Sequence, residues 1–303
     1  MKLLIIGSKG FIGQHLRKFL TAQQQEVWGA DVVVDYAHWE NYFLIDATNA
    51  DYHSIFQEQR FDICINCSGA ASVPDSLQHP MRDYNLNAVN VFRLLDAIRM
   101  YQPACKFINL SSAAVYGNPL VLPITENTSA APVSPYGFHK RMSELVCEEF
   151  FRFFGIATCS LRIFSAYGEG LKKQLFWDLF QKTKSTESIS LFGTGKESRD
   201  FIYIDDLVQA IYLVAQHFDF KGQAINIANG REEFIEDCVK TFYGFFDKPV
   251  QYKFIGQGRA GDPNNWVADI SLLKQLGYKQ QHHLAAGLKK YYGWIKATDS
   301  ELE

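Results

Sequence analysis

The sequence lacks any long apolar run. No stretch of its 303 residues approaches the roughly 18 consecutive apolar residues that cross a bilayer, so we expect no membrane-spanning segment. The sequence also lacks an excess of charge of either sign, because its formal net charge is −3 and it contains no run of basic residues. Binding to nucleic acid or to a membrane surface requires positive charge, and we expect neither partner.

Cysteine is scarce, and its spacing does not form a metal or disulfide framework. The six cysteines are Cys64, Cys67, Cys105, Cys147, Cys159 and Cys238. Cys64 and Cys67 form a C-x-x-C, but it lies on a predicted strand with no second Cys or His pair nearby. This favours buried reduced thiols over a zinc or redox site. We therefore expect no metal and a reducing, cytoplasmic location, with no signal peptide at the start of the sequence.

The first thirteen residues combine a short apolar run with three glycines. Lys2–Ile6 has the length of a buried strand, and Gly7, Gly10 and Gly13 follow at a spacing of three. Glycine lets the chain turn out of the strand, lets the backbone approach a pyrophosphate, and lets the next helix pack closely. The N-terminus of that helix presents free N–H groups to phosphates. The pattern predicts a dinucleotide-binding unit, and the alternative is a glycine-rich turn that binds no ligand.

Apolar strands and helices alternate through the first half of the sequence. The predicted strands are Lys2–Ile6, 26–30, 42–45, 61–67, 106–110 and 157–163. The predicted helices are 11–21, 51–59, 80–101 and 134–154. Alternation at these lengths predicts an α/β fold with a Rossmann-type, doubly wound parallel sheet.

No repeat, low-complexity run or flexible linker separates the two halves of the chain. The second half mixes shorter strands and helices, and the hydrophobic content of 47% is enough for a full core. We assign residues 1–165 to the dinucleotide-binding domain and residues 166–303 to a smaller, mixed α/β substrate-binding lobe. We expect this lobe to be interleaved with the first domain and to leave a cleft against it.

Asp31 bears on the choice between NAD and NADP as the cofactor. It lies 18 residues after Gly13, at the end of the second predicted strand. A carboxylate there accepts hydrogen bonds from both adenosine ribose hydroxyls and repels a 2′-phosphate, which favours NAD over NADP. Lys9 in the glycine turn is the opposing feature, because a cation there could reach a 2′-phosphate, so NADP stays open. Asp46 either accepts a hydrogen bond from the adenine amino group or closes a turn at the end of a strand.

Tyr136 and Lys140 are four residues apart on the predicted helix 134–154, and Ser112 lies just past the end of a predicted strand. Residues at this spacing lie one above the other on a helix. We expect Lys140, together with a positively charged nicotinamide, to lower the pKa of Tyr136 by about three units from about 10, so that the phenol acts as a base. Ser112 would share the substrate proton. His139 faces elsewhere on the helix and is expected to be structural or exposed.

Several stretches of the sequence resemble the extended short-chain dehydrogenase/reductases and, within them, the NAD-dependent epimerase/dehydratase family acting on nucleotide sugars. The resemblance covers nearly the whole chain. It rests on GSKGFIG, SGAA, YNLNAVN, SSAAVYG, SPYGFHK, LRIFSAYG, GTGKESRDFIYIDD and RAGDPNNWVAD. It implies a homodimer formed through the helices 80–101 and 134–154, and a role in making polysaccharide precursors.

The resemblance also implies roles for individual residues. Those implied to bind the cofactor are Gly7, Gly10, Phe11, Ile12, Asp31, Asp46, Ser68, Gly69, Ala70, Asn87, Tyr136, Lys140 and Phe164. Those implied to bind the sugar nucleotide are Ser112, Ser165, Arg199 and Arg259, the two arginines at its diphosphate. Arginine suits that role because its guanidinium binds phosphate through two parallel hydrogen bonds. The implied catalytic residues are Ser112, Tyr136 and Lys140.

The sequence departs from the family pattern in two places. Ser165 stands where the family usually has Asn, so that a shorter hydroxyl takes over the contact or the substrate lies differently. Ala113 and Ala114 stand where the dehydratases carry an Asp–Glu pair and the decarboxylating relatives carry a Glu at the second position. Alanine transfers no proton, so dehydration and decarboxylation lose support.

We therefore expect an NAD-dependent epimerase that acts at C4 of a nucleoside-diphosphate hexose through a 4-keto intermediate. The alternative enzyme is an NAD(P)H-dependent reductase of 4-keto nucleotide sugars. A 4,6-dehydratase and a non-catalytic NAD-binding protein of the same fold are further alternatives. The sequence specifies neither the base of the nucleotide nor the sugar.

Overall fold

The computed structural model of the chain describes residues 1–37, 39–184, 188–258, 261 and 263–300. The strands are Lys2–Ile6 (β1), Glu26–Asp31 (β2), Tyr42–Leu44 (β3), Ile63–Asn66 (β4), Lys106–Ser112 (β5), Thr158–Ile163 (β6), Ser165–Tyr167 (β7), Ser188–Leu191 (β8), Ser198–Arg199 (β9), Phe201–Tyr203 (β10), Ala224–Ile227 (β11), Glu233–Phe234 (β12) and Gln251–Phe254 (β13). The α-helices are Phe11–Ala22 (α1), His53–Glu58 (α2), Val73–Gln78 (α3), Pro80–Tyr84 (α4), Asn90–Tyr101 (α5), Pro135–Phe154 (α6), Gln174–Thr183 (α7), Ile204–His217 (α8), Ile235–Tyr243 (α9), Ser271–Gln275 (α10) and Leu284–Ser300 (α11). Among these helices, none has the length and apolarity that a membrane crossing requires.

Seven of the described strands form one sheet in the order β11–β6–β5–β4–β1–β2–β3. Every neighbouring pair in this sheet is parallel. The chain builds the sheet outward from β1 in one direction and then from β4 in the other, so the order reverses between these two strands. A crevice forms at the carboxyl ends of the strands at such a reversal. The sheet confirms the predicted doubly wound α/β fold, and β11 from the second half of the chain forms one edge.

Apolar side chains cover both faces of the sheet. In β1, Leu3 and Ile5 belong to one core cluster and Leu4 and Ile6 belong to the other. All four are at most 1% exposed. Because successive side chains of a strand point to opposite faces, a strand that is buried on both sides needs a continuous apolar run. This explains why the chain begins with the apolar residues of β1.

The second half of the chain adds short paired strands and a layer of helices. Strand β10 pairs with β7 and β13 pairs with β8, both in parallel, whereas β12 and β9 are antiparallel. Aromatic rings join the helices of this region: the ring of Phe242 lies 5.6 Å from that of Phe176 and 5.9 Å from that of Tyr292. These ring contacts join α7, α9 and α11.

The structure differs from the sequence prediction in the helix 80–101, at Ser112 and at two further helices. The predicted helix 80–101 is divided into α4, a π-helical segment Asn85–Val89, and α5. Ser112 is the last residue of β5 rather than a residue past its end. Helices α3 and α11 were not predicted, and α3, which has six residues, is too short to show a helical period. The other predicted elements of the first half differ by no more than two residues at either end.

The turn after β1 depends on glycine at two positions. Gly7 has a φ of +76°, in the left-handed region, and a Cβ there would lie 2.6 Å from the backbone nitrogen of Ser68. A Cβ on Gly13 would lie 2.2 Å from the carbonyl oxygen of Gly7. Both contacts are with backbone atoms, which cannot rotate away. Glycine at these positions therefore lets the first turn of α1 lie against the turn.

We predict that Gly13→Ala lowers the free energy of unfolding by about 3 kcal/mol, because the added methyl group overpacks the backbone of the turn. Urea denaturation followed by circular dichroism measures this change. Gly293→Ala is the matched control, since a Cβ on this α11 glycine has no neighbour within 4 Å and alanine favours a helix. Equal unfolding midpoints for the wild-type protein and Gly13→Ala would contradict the prediction.

Candidate functional site

A cavity of about 740 Å³ opens where the carboxyl ends of the parallel strands meet the second half of the chain. Doubly wound sheets bind ligands at this edge, and a cleft of this size holds a large part of a nucleotide-sized ligand. Many residues predicted from the sequence line it: Gly10, Phe11, Ile12, Ser68, Gly69, Ala70, Ser112, Tyr136, Lys140, Phe164, Ser165 and Arg199. Arg259, which was also predicted, lies outside the described residues.

The N-terminus of α1 faces this cavity without a side-chain cap. Gly10 is the N-cap residue, no side chain accepts a hydrogen bond there, and the first turn carries no acidic residue. The N–H groups of Phe11 and Ile12, both at the cavity wall, are therefore available to an outside acceptor. Together with the helix dipole, this arrangement suits an anionic group such as a pyrophosphate.

Asp31 is held in place by the glycine turn at the end of β2. Its Oδ2 accepts a hydrogen bond from the backbone nitrogen of Lys9 at 2.9 Å, and its Oδ1 accepts one from that of Val32 at 2.7 Å. The ammonium of Lys9 lies 3.4 Å from Oδ1 of the buried Asp35, which also binds Arg17 at 3.3 Å. The charge of Lys9 is therefore partly neutralised, whereas the carboxylate of Asp31 keeps lone pairs for a ligand.

Asp46 lies just beyond β3 and makes the hydrogen bonds of a turn. Its Oδ1 accepts from the backbone nitrogen and the hydroxyl of Thr48, both at 2.7 Å, and from the backbone nitrogen of Asn49 at 3.3 Å. These hydrogen bonds lower the pKa of Asp46. They correspond to the turn interpretation of this residue, and its contact with adenine stays a prediction.

The buried amide of Asn87 lies next to Gly69, which lines the cavity. Gly69 has a φ of +122°, and a Cβ there would lie 2.5 Å from Oδ1 of Asn87 and 3.6 Å from Nζ of Lys140. Asn87 is buried, and neither its Nδ2 nor its Oδ1 has a hydrogen-bond partner among the described residues. Buried amides are normally paired, so these atoms indicate a missing partner in the pocket. The uncapped α1, the fixed Asp31 and this amide together fit a dinucleotide.

Ser112, Tyr136 and Lys140 meet at the end of β5. The hydroxyl of Ser112 accepts a hydrogen bond from the backbone nitrogen of Ala114 at 3.2 Å. Lys140 donates from Nζ to the carbonyl oxygen of Leu110 at 2.8 Å, and Nζ lies 5.9 Å from the centre of the Tyr136 ring. The structure therefore brings the three predicted catalytic side chains to one point of the cavity.

The start of α6 is fixed by the residues around Tyr136. Ser134 caps the helix by accepting a hydrogen bond from the backbone nitrogen of Gly137 at 3.2 Å. Gly137 lets the helix approach β5, because a Cβ there would lie 2.6 Å from the carbonyl oxygen of Ala114. The backbone nitrogen of Tyr136 donates to the hydroxyl of Ser76 on α3 at 3.2 Å. The SPYG motif thus determines where the phenol is placed.

Burial dominates the titration of the site. It raises the pKa of Tyr136 to about 12, and the neighbouring hydroxyl of Ser112 only partly opposes this. It also lowers the pKa of Lys140 to about 8, against the opposing charge of Asp83. The chain alone therefore does not lower the pKa of Tyr136. The expectation from the sequence included a positively charged nicotinamide beside Lys140, and it stays a prediction for the cofactor-loaded protein.

Ala113 and Ala114 differ in position. Ala113 is fully buried in the core, whereas Ala114 lines the cavity beside Ser112. Neither carries an ionisable group. In the described part of the chain, the acid–base side chains next to Ser112 are therefore those of Tyr136 and Lys140.

The second half of the chain supplies the opposite wall. Arg199 donates to the carbonyl oxygens of Ser198 at 2.8 Å and Asn264 at 3.1 Å, and its guanidinium lies 5.7 Å from the ring centre of Trp266. Trp266 also packs edge-on against Phe164 at 5.8 Å. These contacts hold the guanidinium of Arg199 at the cavity wall.

The cavity also contains residues that were not predicted from the sequence. They are Lys173, Asp178, Lys182, Phe192 and Trp266. Trp266 lies within the motif RAGDPNNWVAD, and this motif could have identified it as a site residue from the sequence. The others come from α7 and the end of β8, and only the packing of the second half brings them to the site. His139, expected to be structural or exposed, makes a structural contact: its Nδ1 lies 2.6 Å from Oδ1 of the buried Asp83.

Comparisons with known proteins give consistent matches. The model of the NAD dependent epimerase/dehydratase family matches residues 3–228. An uncharacterized UDP-glucose epimerase, YtcB of Bacillus subtilis, is 30% identical over 91% of this chain and 92% of its own. A UDP-glucose 4-epimerase of Lactobacillus helveticus is 28% identical over 93% of each chain. The solved UDP-glucuronic acid 4-epimerase from Bacillus cereus, in complex with UDP-glucuronic acid and NAD, is 26% identical with a TM-score of 0.89, covering 98% of this chain and 100% of that chain.

Proposed function

Because the chain belongs to the NAD dependent epimerase/dehydratase family, we propose that it is a 4-epimerase of a nucleoside-diphosphate hexose and acts through a 4-keto sugar. The observation that carries this proposal is the set of groups at Ser112. One phenol and one ammonium lie beside it, and Ala113 and Ala114 supply no second acid or base. Inversion at C4 moves one proton at one oxygen, and this set is sufficient for that.

In the proposed reaction Tyr136 removes the proton of the C4 hydroxyl, and the Ser112 hydroxyl shares that proton. When bound, NAD would supply a reversible hydride acceptor for C4, so that the hydride could leave one face of the sugar and return to the other. Lys140 holds the cofactor ribose, and its ammonium stabilises the phenolate of Tyr136. After the keto sugar has turned in the cavity, the proton passes from Tyr136 back to the oxygen at C4. No second proton donor takes part, which agrees with the alanines.

The titration of the site limits when Tyr136 can act. Because burial raises its pKa to about 12, the phenol is neutral near pH 7 in the chain alone. A further positive charge next to the ring favours the phenolate. We therefore expect Tyr136 to act as a base only in the cofactor-loaded protein.

Asp31 and Lys9 support NAD as the cofactor. The carboxylate of Asp31 is fixed by two backbone N–H groups, and a 2′-phosphate there would meet a negative charge. The ammonium of Lys9 is already next to Asp35. The Bacillus cereus relative binds NAD, and we propose the same cofactor for this chain.

The relatives described above are named for UDP-glucose or UDP-glucuronic acid. We therefore propose a UDP-hexose as the substrate. Arg199 would bind the diphosphate together with Arg259, and Ser165 would contact the sugar.

We propose residues 1–165 as the cofactor domain and residues 166–303 as the substrate lobe, with β11 returning to the first sheet. The free thiols of the six cysteines support a reducing cytoplasm.

We also propose that the protein is a homodimer joined through α5 and α6. On α6, Phe138, Met142 and Leu145 form one stripe, and Phe92 lies on α5; each is between 41% and 53% exposed. Spacings of four and three place the α6 side chains on one face of the helix. Such apolar stripes on a soluble protein mark an interface.

We predict that Tyr136→Phe lowers kcat by about 10²- to 10⁴-fold, because the variant loses the group that moves the proton at O4. The assay is nuclear magnetic resonance of UDP-hexoses with the purified enzyme, and the NAD content is measured after denaturation. Tyr101→Phe, which changes a tyrosine outside the cavity, is the control. Turnover by Tyr136→Phe at the wild-type rate would rule out the proposed mechanism.

We predict that Leu145→Glu converts the dimer into a monomer, because a carboxylate at this position would be buried without a partner. Light scattering coupled to size-exclusion chromatography should give twice the chain mass for the wild-type protein and the single chain mass for the variant. Leu120→Glu, at a fully exposed loop residue, is the control and should stay dimeric. A monomeric wild-type protein would contradict the proposal.

A further inference from the structure

A buried carboxylate lies behind the catalytic helix. Asp83 of α4 is 1% exposed, and its Oδ1 lies 2.6 Å from Nδ1 of His139 on α6. Its Oδ2 has no hydrogen-bond partner among the described residues. A buried carboxylate with an unpaired oxygen is costly, so such a group is retained where it has a role.

The partner of Asp83 directly precedes Lys140 on α6. The side chain of His139 is 12% exposed, and its ring packs edge-on against Tyr84 at 5.4 Å between ring centres. The hydrogen bond therefore couples α4 to the helix that carries both Tyr136 and Lys140. The charge of Asp83 acts on each of these two groups.

Other charged and titratable groups also face this region, and its other carboxylates, Asp75 and Glu144, are paired with arginines. From α3, Asp75 pairs with Arg82 at 2.8 Å on the outer side of α4. The π-helical segment Asn85–Val89, packed against α4, carries no titratable side chain. On the far side of Lys140, Cys67 and Glu144 act on the ammonium.

Glu144 is itself bound to Arg162 through two hydrogen bonds, each of 2.9 Å, and to Arg141 at 2.9 Å. Two guanidinium groups therefore pair with this carboxylate. Asp83 differs from Glu144 in that its partner is the imidazole of His139 and its second carboxylate oxygen accepts no hydrogen bond from the described residues.

We propose that Asp83 is a positioning residue that sets the pH range in which Tyr136 and Lys140 act. This inference rests on the proposed function, in which Tyr136 is the base and Lys140 the cation. A fixed anion stabilises the ammonium of Lys140 and disfavours the phenolate of Tyr136. It therefore raises the pKa of both groups, keeping Lys140 charged in spite of its burial. His139 holds the carboxylate of Asp83 toward α6.

Removal of the Asp83 charge shifts the pKa of Tyr136 and the pKa of Lys140 in a defined direction. In Asp83→Asn, the pKa of Tyr136 and the pKa of Lys140 both fall. The acidic limb of the kcat profile follows Tyr136 and the alkaline limb follows Lys140, so both limbs move to lower pH by about one unit. A purely structural role would lower kcat equally at every pH and leave the limbs in place.

The test is the pH dependence of kcat for the holoenzyme and for Asp83→Asn, with melting temperatures for each. Asp75→Asn is the matched control, since it removes a nearby but exposed carboxylate, and its limbs should stay at the wild-type pH. His139→Asn keeps an N–H donor toward Asp83 and should also retain the wild-type limbs. If Asp83→Asn folds and both limbs of its kcat–pH profile stay at the wild-type pH, the proposal is overturned.

A second readout needs no turnover. The near-ultraviolet absorbance of the phenolate is titrated in NAD-loaded protein without sugar, and the Tyr136→Phe titration is subtracted to isolate Tyr136. Asp83→Asn should lower the midpoint by about one unit, and an unchanged midpoint would overturn the proposal. If the wild-type protein epimerises no nucleotide sugar, the proposed function fails while this titration still tests Asp83. If Asp83→Asn does not fold, Asp83→Glu moves the charge by one methylene, and identical midpoints would again overturn the proposal.

Discussion

The burial of a phenol beside a buried ammonium is the constraint on which the rest of the site depends. Loss of hydration raises the pKa of Tyr136 to about 12 and lowers the pKa of Lys140 to about 8, so the chain alone disfavours both charged forms. Ser112 and Asp83 adjust this balance without reversing it. The site is thus inactive as a base until another positive charge enters, and in the proposed enzyme the bound cofactor has that role.

The scaffold places these groups through a few backbone contacts. Lys140 is tied to the carbonyl oxygen of Leu110 at the end of β5, and Gly137 lets the first turn of α6 approach Ala114. On the other side of the cavity, Gly7 and Gly13 let the uncapped end of α1 reach the crevice between β1 and β4. Each of the three glycine positions requires the absence of a side chain, so the local sequence motif corresponds directly to the local geometry.

This correspondence explains what could be predicted from the sequence. The turn after β1 depends on residues close in sequence, and Tyr136 and Lys140 lie at helical spacing, so local motifs specified them. Ser112 was predicted from its motif at the end of a strand. The pKa of Tyr136, the cavity position of Trp266 and the Asp83–His139 pair depend on packing between distant segments, which no local pattern encodes. Helix α11 is different, because its buried residues Leu288, Tyr291 and Ile295 follow a helical spacing that was available in the sequence.

The central claim is that hydride leaves C4 of the sugar and returns to the same carbon within one cavity. The most direct measurement uses a UDP-hexose with deuterium at C4, incubated with the purified protein and no added cofactor, and follows both C4 epimers by nuclear magnetic resonance. The account predicts that the epimer forms and that both epimers keep deuterium at C4. Loss of the label to solvent, or product only with added reduced cofactor and a keto sugar, would contradict the account and favour a reductase.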